Sequence, residues 1–195
     1  MIPRHFQITI ALLLLAILVS GILIIQLRRG EQARLESVAG PGPQPPAQGE
    51  VEHIRILIAY DDDLALRWRD AEVRMPADRT LRAREVLRAV LAQYQQRPSP
   101  HPLSRASDIK DVYLISGDTL LVDTNAAFAD KHPSGIVLEE LTLTSLVESL
   151  RANVPGINRV KFVVEGKERD TLAGHADLMS FYQTRAVDEL AREFE

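Results

Sequence analysis

The chain has 195 residues, of which 46% are apolar and 26% charged, enough for one domain with appendages. It contains no cysteine, which excludes disulfides, thiolate metal sites and cysteine nucleophiles. Residues 1–49 carry four Arg against two acids, and residues 50–195 carry 19 Lys or Arg against 25 acids. The second part therefore has a net charge near −6, which argues against binding nucleic acid or an anionic membrane surface through charge alone.

A long apolar segment follows a short N-terminal tail, residues 1–5. Residues 6–27 contain no charge, and a helix of that length spans about 33 Å, close to the hydrocarbon thickness of a bilayer. We therefore expect a transmembrane signal anchor over residues 6–27. A cleaved signal peptide is the alternative, because Ser37-Val38-Ala39 resembles a cleavage site, although it lies beyond several charged residues. The lack of cysteine excludes a bacterial lipoprotein.

The charges that flank the apolar segment bear on its orientation. Arg4 precedes it, whereas Arg28, Arg29 and Arg34 follow it, which by the positive-inside rule favours a cytoplasmic C-terminal part. Residues 28–49 are predicted to be a linker. It ends in GPGPQPPAQG, which has too little apolar surface to fold and enough proline to stay extended. We expect this linker to hold the following domain away from the bilayer.

Alternating apolar residues predict the first strands of the domain that follows. Ile54–Tyr60 alternates clearly and ends at Asp61-Asp62-Asp63. Leu66–Met75 alternates less well and stops at Pro76, so it is predicted as an edge strand or an extended loop.

Further β-rich runs lie in the second half of the domain. Ile109–Ile115 and Thr119–Asp123 predict an antiparallel hairpin, with Gly117 supplying a positive φ. Asn125–Gly135 is predicted to be a loop with a single helical turn, and Arg159–Glu165 a strand.

Three segments show helical periodicity. The first follows Asp78 and Thr80, either of which could cap it, and ends before Arg97-Pro98. The second covers about Val137–Asn153, with acids in its first turn, where the helix dipole favours them. Its apolar stripe consists of Leu143, Leu146, Val147, Leu150 and Val154. The third, Met179–Phe194, is either a helix packed on the domain or a frayed arm.

The order of these elements predicts the fold class. It is an α+β, two-layer sandwich in which a small, mostly antiparallel sheet packs against two helices, with the N-terminal transmembrane helix outside it. Residues 50–178 form this domain, and residues 179–195 form a C-terminal amphipathic helix or arm. A chain of this length can enclose one hydrophobic core.

The span from about Ile54 to Gly174 resembles the GerMN domain, a module named for sporulation and spore germination proteins of bacteria. The strongest block is GIVLEELTLTSLVESL, residues 135–150. The other matching segments are Ile56–Tyr60, Val73 before Pro76, the hairpin from Val112 to Asp123, Phe128, Val154–Ile157 and Val160–Lys167. The chain departs from the family in a long, proline-rich loop before the hairpin and in the segment beyond Asp177.

The resemblance implies an extracytoplasmic, non-enzymatic domain on membrane-anchored or lipid-anchored envelope proteins. It also implies a fold similar to that of ring-building modules in channel complexes. We let this implication override the flanking charges and expect a single-pass protein of the bacterial inner (cytoplasmic) membrane, with its C-terminal domain outside the cytoplasm. Sporulation itself does not follow from the resemblance.

Residues that could bind a metal are scattered. None of the five histidines has the spacing of a zinc site on a helix: His5, His53, His101, His132 and His175. His175 and Asp177 lie close together, but we expect a surface loop there. Asp61-Asp62-Asp63 lacks the spaced acids, glycine and closing Glu of a calcium loop, so we expect a solvated turn. Neither a metal nor a cofactor is predicted.

Candidate catalytic residues are few as well. The sequence has no nucleophile elbow around a serine and no glycine-rich phosphate loop. Asp123 and Glu148 could act as paired carboxylates, but we expect Asp123 to cap the following turn and Glu148 to face water. Trp68, between Arg67 and Arg69, has the composition of a contact surface, but we expect core or lid packing, with the contact surface as the alternative. No catalytic residue is assigned, and binding residues stay unknown.

These patterns favour a non-catalytic module that binds envelope proteins or self-associates through a sheet edge and helix surfaces. One alternative is an extracytoplasmic domain that binds peptidoglycan or another glycan. The other is a hydrolase, which would need a deep pocket that holds at least two polarised titratable groups. Nucleic acid is not an expected partner.

Overall fold

The computed structural model describes residues 49–195, where strands and helices alternate in an α+β fold, as predicted. The strands are β1 (Glu50–Tyr60), β2 (Ala65–Met75), β3 (Ile109–Ile115), β4 (Thr119–Thr124), β5 (Arg159–Val164) and β6 (Tyr182–Gln183). The helices are α1 (Arg79–Gln95), α2 (Ala126–Asp130), α3 (Ile136–Asn153) and α4 (Thr184–Ala191). Within residues 49–195, no helix is long and apolar enough to cross a membrane. The predicted anchor, residues 6–27, lies outside the described residues.

Strands β1 and β2 form a two-stranded antiparallel sheet by themselves. Their register runs without a bulge from the Glu50–Met75 pair to the Tyr60–Ala65 pair, so β2 is an edge strand and not a loop. The connecting turn begins at Asp61, as predicted. From Ile56 to Ala59, β1 is buried on both faces, because helices cover the sheet.

The other four strands form a second sheet in the order β3-β4-β5-β6. The β3–β4 hairpin is antiparallel, and Gly117 has a φ of +78° in its turn, as predicted. Strands β4 and β5, however, are parallel. The prediction of mostly antiparallel strands is confirmed, because three of the four strand pairs are antiparallel, but the prediction of one sheet was wrong, because the strands form two. The chain between β4 and β5 passes through α2 and α3, and a crossover of this length brings the next strand back in the same direction.

Helix α1 begins at a capped N-terminus. The Asp78 carboxylate accepts hydrogen bonds from the backbone N–H groups of Thr80 and Leu81, each at 2.9 Å. Of the two candidate caps, Asp78 is therefore the residue in use. The helix packs against α3 and against strands of both sheets, which joins the two sheets through a shared core.

Helix α3 is the central element of the fold. We predicted one apolar stripe, but every residue from Leu141 to Leu150 is buried, because α1, β1 and α4 all pack around the helix. Its polar side chains must therefore find partners inside the protein. Those that are buried are Glu139, Thr142, Thr144, Ser145, Glu148 and Ser149.

Polar side chains of α3 and α1 bond to the outer edge of β1 between Arg55 and Ala59. The Ser149 hydroxyl accepts a hydrogen bond from Leu57 N at 2.9 Å, and Asn153 Nδ2 donates to Arg55 O at 2.6 Å. From α1, the Tyr94 hydroxyl accepts from Ala59 N at 2.9 Å. The two helices thus satisfy backbone groups of β1 that another strand would otherwise pair.

The C-terminal segment is docked on the domain. Val187 and Ala191 of α4 are buried, and the Phe194 carbonyl accepts a hydrogen bond from Leu66 N at 2.8 Å. Of the two alternatives for this segment, the packed helix is the one observed. It is shorter than the predicted Met179–Phe194, because Tyr182 and Gln183 pair with β5 as a strand.

Candidate functional site: an open strand edge

The outer edge of β2 is open along most of its length. Leu66 N donates to Phe194 O on the side of β2 that faces away from β1. In an antiparallel strand, every second residue directs its N–H and C=O to the same side. Within residues 49–195, no backbone partner meets the next four outward-facing residues of β2, which are Trp68, Asp70, Glu72 and Arg74. The edge of β1 is therefore covered between Arg55 and Ala59, whereas the edge of β2 is open from Trp68 to Arg74.

Charged side chains flank this open edge. Arg67, Arg69, Asp70, Glu72 and Arg74 are all exposed. The guanidinium carbons of Arg67 and Arg69 lie 4.5 Å and 5.6 Å from the ring centroid of Tyr60. Charges at an edge limit unspecific strand pairing while leaving the backbone available to a partner of complementary charge.

Trp68 lies beside the same edge and is half-buried. Its ring packs against the core, with the Arg55 guanidinium carbon 4.9 Å from the ring centroid. Its Nε1 donates a hydrogen bond to Glu195 Oε1 at 3.0 Å. The ring also lines an open, polar groove of about 520 Å³ that includes Arg151 and Asp188. Trp68 therefore packs against the core and also lines a surface groove, so both of its predicted roles are observed in part.

A chain of buried polar groups connects the turn after β1 to α3. His101 Nδ1 donates to the Asp61 carboxylate at 2.5 Å, and His101 Nε2 lies 2.6 Å from the Thr142 hydroxyl oxygen. A second imidazole, that of His132, lies 2.8 Å from the same oxygen and donates through Nδ1 to the Pro133 carbonyl. A carboxylate, an imidazole and a hydroxyl in this order resemble the arrangement that activates a serine or threonine nucleophile.

The environment of Thr142 argues against that role. The residue has no exposed surface, so a substrate carbonyl could not approach its hydroxyl oxygen. The single hydroxyl hydrogen has three acceptors within reach, which are the two imidazoles and the Leu138 carbonyl at 3.0 Å. We interpret the cluster as a buried network that fixes the loops before β3 and after α2 on helix α3.

Glu139 organises the loop that precedes β6. One of its oxygens, Oε2, accepts the backbone N–H groups of Ala173, His175 and Ala176 at 2.9 to 3.0 Å. The other, Oε1, accepts from His175 Nδ1 at 2.9 Å and from Gly135 N at 3.2 Å. Burial alone would raise the pKa of Glu139, but the hydrogen bonds from His175 and the backbone amides lower that pKa to about 2.

The predicted site residues do not come together in one place. The His175 imidazole lies 2.9 Å from Glu139 Oε1, and residues 49–195 contain no group of three His, Asp or Glu that could hold a metal ion. His53 is exposed and lies 3.7 Å from Glu72. His5 lies outside the described residues.

Two predictions about single carboxylates were wrong. Glu148 does not face water, because it is 1% exposed and accepts from Arg151 Nε at 2.8 and 3.0 Å. Burial raises the pKa of Glu148, and Arg151 opposes that rise. Asp123 does not cap the turn that follows it but accepts from Gly166 N, in the turn after β5, at 2.8 Å. Parallel pairing of β4 with β5 brings that turn beside Asp123. Asp123 and Glu148, which were considered above as paired carboxylates, have separate partners.

Sequence reasoning missed the groups that hold the loops in place. Glu139 was expected only as an acid of the first helical turn, and His101 and His132 only as scattered histidines. For Glu139 the available signal was its position in a helix with polar residues on every side, which cannot all face water if the helix is central. His101 and His132 lie in loops, where no such periodic signal exists.

Comparison with known proteins supplies the family. The model of the Germane family, described as sporulation and spore germination, matches residues 61–170, more than half of the chain. The chain therefore belongs to the Germane family, which confirms the resemblance to the GerMN domain. No curated protein matches the chain.

Solved structures similar to this chain include two bacterial proteins. One is a presumed lipoprotein from Clostridium perfringens, and the other is the tandem GerMN domains of the sporulation protein GerM from Bacillus subtilis. Each is 14% identical to this chain, with a TM-score of 0.48. The first comparison covers 75% of this chain and 95% of the lipoprotein. The second covers 67% of this chain and 45% of the GerM chain.

Proposed function

We propose that this protein is a membrane-anchored, non-catalytic interaction module of the bacterial cell envelope. It binds an envelope protein or a second copy of itself by adding a strand to the open edge of β2. The observation that carries the proposal is the contrast between the two edges of the β1–β2 sheet. Side chains of two helices bond to outward-facing backbone groups of Arg55, Leu57 and Ala59 in β1. The outward-facing groups of β2, at Trp68, Asp70, Glu72 and Arg74, have no backbone partner within residues 49–195.

The side chain that most resembles a catalytic nucleophile is buried, which supports a non-catalytic role. The Asp61, His101 and Thr142 side chains have the order of a catalytic triad, but Thr142 is fully buried. Glu139 has the most strongly lowered pKa of the described carboxylates, and both of its oxygens accept hydrogen bonds that hold a loop in place. A hydrolase would need such groups to be open to a substrate.

The proposed layout places the domain outside the cytoplasm. Residues 1–5 are a short tail, residues 6–27 the anchor in the inner membrane, and residues 28–49 the linker. Residues 50–178 carry the open edge, and residues 179–195 are an addition docked on that domain. Membership of the Germane family supports an envelope location, and a role in sporulation is not proposed.

Fractionation tests the anchor. Full-length protein is expected to stay with membranes after a carbonate wash, because the uncharged segment of residues 6–27 is long enough to span a bilayer. A variant that lacks residues 6–27 is the control and is expected in the soluble fraction. Recovery of the full-length chain in the soluble fraction after the wash would refute the anchor.

Glu72→Pro tests the strand edge. The Glu72 N–H points away from β1, so proline removes a donor that a partner strand would use and leaves the hydrogen bonds to β1 in place. With a photocrosslinking amino acid at Asp70 of the full-length protein, we expect specific adducts in intact cells. Their yield should fall at least about tenfold in Glu72→Pro, which corresponds to a loss of about 1.4 kcal/mol of binding free energy.

Two controls keep the strand-edge result interpretable. Glu72→Ala removes the same side chain but keeps the N–H, so the adducts should persist. A crosslinker at exposed Lys131 should give no adduct of the same mass. Equal adduct yields in Glu72→Pro and Glu72→Ala, with both variants folded by circular dichroism, would contradict binding through this edge.

The groove beside Trp68 supports a second candidate, a domain that binds peptidoglycan or another glycan. An aromatic ring with neighbouring Arg and Asp side chains offers both a stacking face and hydrogen-bonding groups. The Arg55 guanidinium, however, already covers a face of the ring. Calorimetric titration with muropeptides separates the candidates, because measurable affinity that is lost in Trp68→Ala would favour the glycan.

A further inference from the structure

A cavity of about 300 Å³ lies between α3, the loop before β6, and α4. Its volume corresponds to about ten water molecules at about 30 Å³ each and reaches the lower end of the range for small-ligand sites. Much of the wall is apolar and comes from Ile136, Leu143, Ala176, Val187 and Leu190. The cavity can therefore receive an apolar group of a few carbon atoms.

The charged groups of the cavity are carboxylates. Glu140 and Asp177 line it, and none of its lining residues is Lys or Arg. Glu140 is half-buried, and across residues 49–195 it makes no hydrogen bond or ion pair. Hydrogen bonds from Ser180 and from Met179 N lower the pKa of Asp177, so this carboxylate is ionised at neutral pH. The lining residue His175 donates a hydrogen bond through Nδ1 to buried Glu139 and not to Glu140. Glu140 therefore has no counter-charge among the residues that line the cavity.

The cavity is held in shape without a ligand. Glu139 fixes the loop from Ala173 to Ala176 on α3 through three backbone N–H groups. The Tyr182 hydroxyl donates to the Asp177 carbonyl at 2.5 Å, and Leu178 N donates to Asp170 O at 3.0 Å. A site that is already ordered loses less conformational entropy when a ligand binds.

We propose that this cavity binds a primary ammonium group carried on a short apolar chain. The apolar walls would receive the carbon chain, and the Glu140 carboxylate would pair with the ammonium group. A carboxylate ligand of the same length is excluded by charge, and an alcohol lacks the ionic contact. The same chemistry is offered by a free alkylamine and by a lysine side chain of a protein, and the site does not involve the β2 edge.

Methyl NMR spectroscopy of the full-length protein in lipid nanodiscs tests the proposal. The readout is the chemical shifts of the Leu143, Val187 and Leu190 methyl groups, which line the cavity. Pentylammonium is expected to shift them, pentanol to bind at least about tenfold more weakly, and pentanoate to leave them unchanged. Nα-acetyl-lysine methylamide represents a lysine side chain in a protein, so its binding would point to a protein source and its failure to a free amine.

Glu140→Gln is the matched variant, because Glu140 has no partner in the described fold and the change keeps its shape. It should weaken pentylammonium binding at least about tenfold and leave pentanol binding unchanged. Asp170→Asn, outside the cavity lining, should change neither affinity. The proposal is overturned if pentanoate binds as tightly as pentylammonium, if Glu140→Gln leaves the ammonium affinity unchanged, or if no probe shifts the three methyl groups.

Discussion

Glu139→Gln is expected to lower the free energy of unfolding by about 3 kcal/mol at neutral pH. A pKa of about 2, against an ordinary value of 4.5, corresponds to a stabilisation of this order. The amide can offer only one accepting oxygen, so either His175 Nδ1 and Gly135 N or the three backbone N–H groups of the loop lose their acceptor. Urea unfolding of residues 49–195 measures the change. Glu140→Gln, on the adjacent residue, is the control and should change stability by less than about 0.5 kcal/mol.

The same carboxylate predicts a pH dependence with a definite sign. Because folding lowers the pKa of Glu139, its contribution is fully present above the unfolded pKa near 4.5 and is lost as the pH falls toward 2. The difference in stability between the parent and Glu139→Gln should therefore shrink across this window. A difference that stays constant from pH 7 to pH 2 would contradict an ionised, hydrogen-bonded Glu139.

Leu146→Asp is expected to prevent folding of residues 49–195. Leu146 has no exposed surface and lies in the part of α3 that is buried on all sides. An unpaired carboxylate at this position would lose its hydration without gaining a partner, which costs more than about 4 kcal/mol. Circular dichroism during thermal unfolding should show no cooperative transition.

Ile136→Asp is the matched control for Leu146→Asp. It makes the same kind of change in the same helix, but Ile136 is 67% exposed, and an acid at a helix N-terminus is favourable. Its melting curve should resemble that of the parent. A cooperative transition in Leu146→Asp at the parental temperature would show that α3 is not the central helix of the domain.

Local sequence patterns were sufficient for most elements of the fold. Alternation located β1, the hairpin of β3 and β4, and β5, and helical periodicity located α1 and α3 to within about two residues. Gly117 was identified, and the cap was narrowed to Asp78 or Thr80, because a positive φ and capping depend on residues that are neighbours in the chain. Family membership was visible for the same reason, since its signatures are short segments in a fixed order.

The separation of the strands into two sheets could not be predicted in the same way. Which strands pair depends on where the crossover through α2 and α3 returns the chain, and alternation within β4 or β5 carries no information on direction. The predicted single stripe on α3 failed because helices and strands surround α3, which is a property of the assembled core. Glu139, Thr142 and Glu148 acquired buried partners from distant segments for that reason.

The open edge of β2 was likewise beyond the reach of local patterns. The alternation in Leu66–Met75 indicated an edge strand, but which of the two edges of the hairpin is closed depends on Ser149, Tyr94 and Asn153, which come from other elements. The sequence could suggest Trp68 as a surface residue, since an aromatic ring between two arginines is unusual in a core. Its position beside the open edge required the register of β1 against β2.

Residue-resolved amide hydrogen exchange tests most directly whether the β2 edge is the interaction surface. The comparison is between full-length protein dispersed as a monomer in detergent and the same protein in native membranes with its partners. We expect the outward-facing N–H groups of Asp70, Glu72 and Arg74 to exchange rapidly in the monomer and to become protected in the membrane. The inward-facing N–H groups of Arg69 and Ala71 should be protected in both forms. Equally rapid exchange of the outward-facing groups in both forms would contradict binding by strand addition.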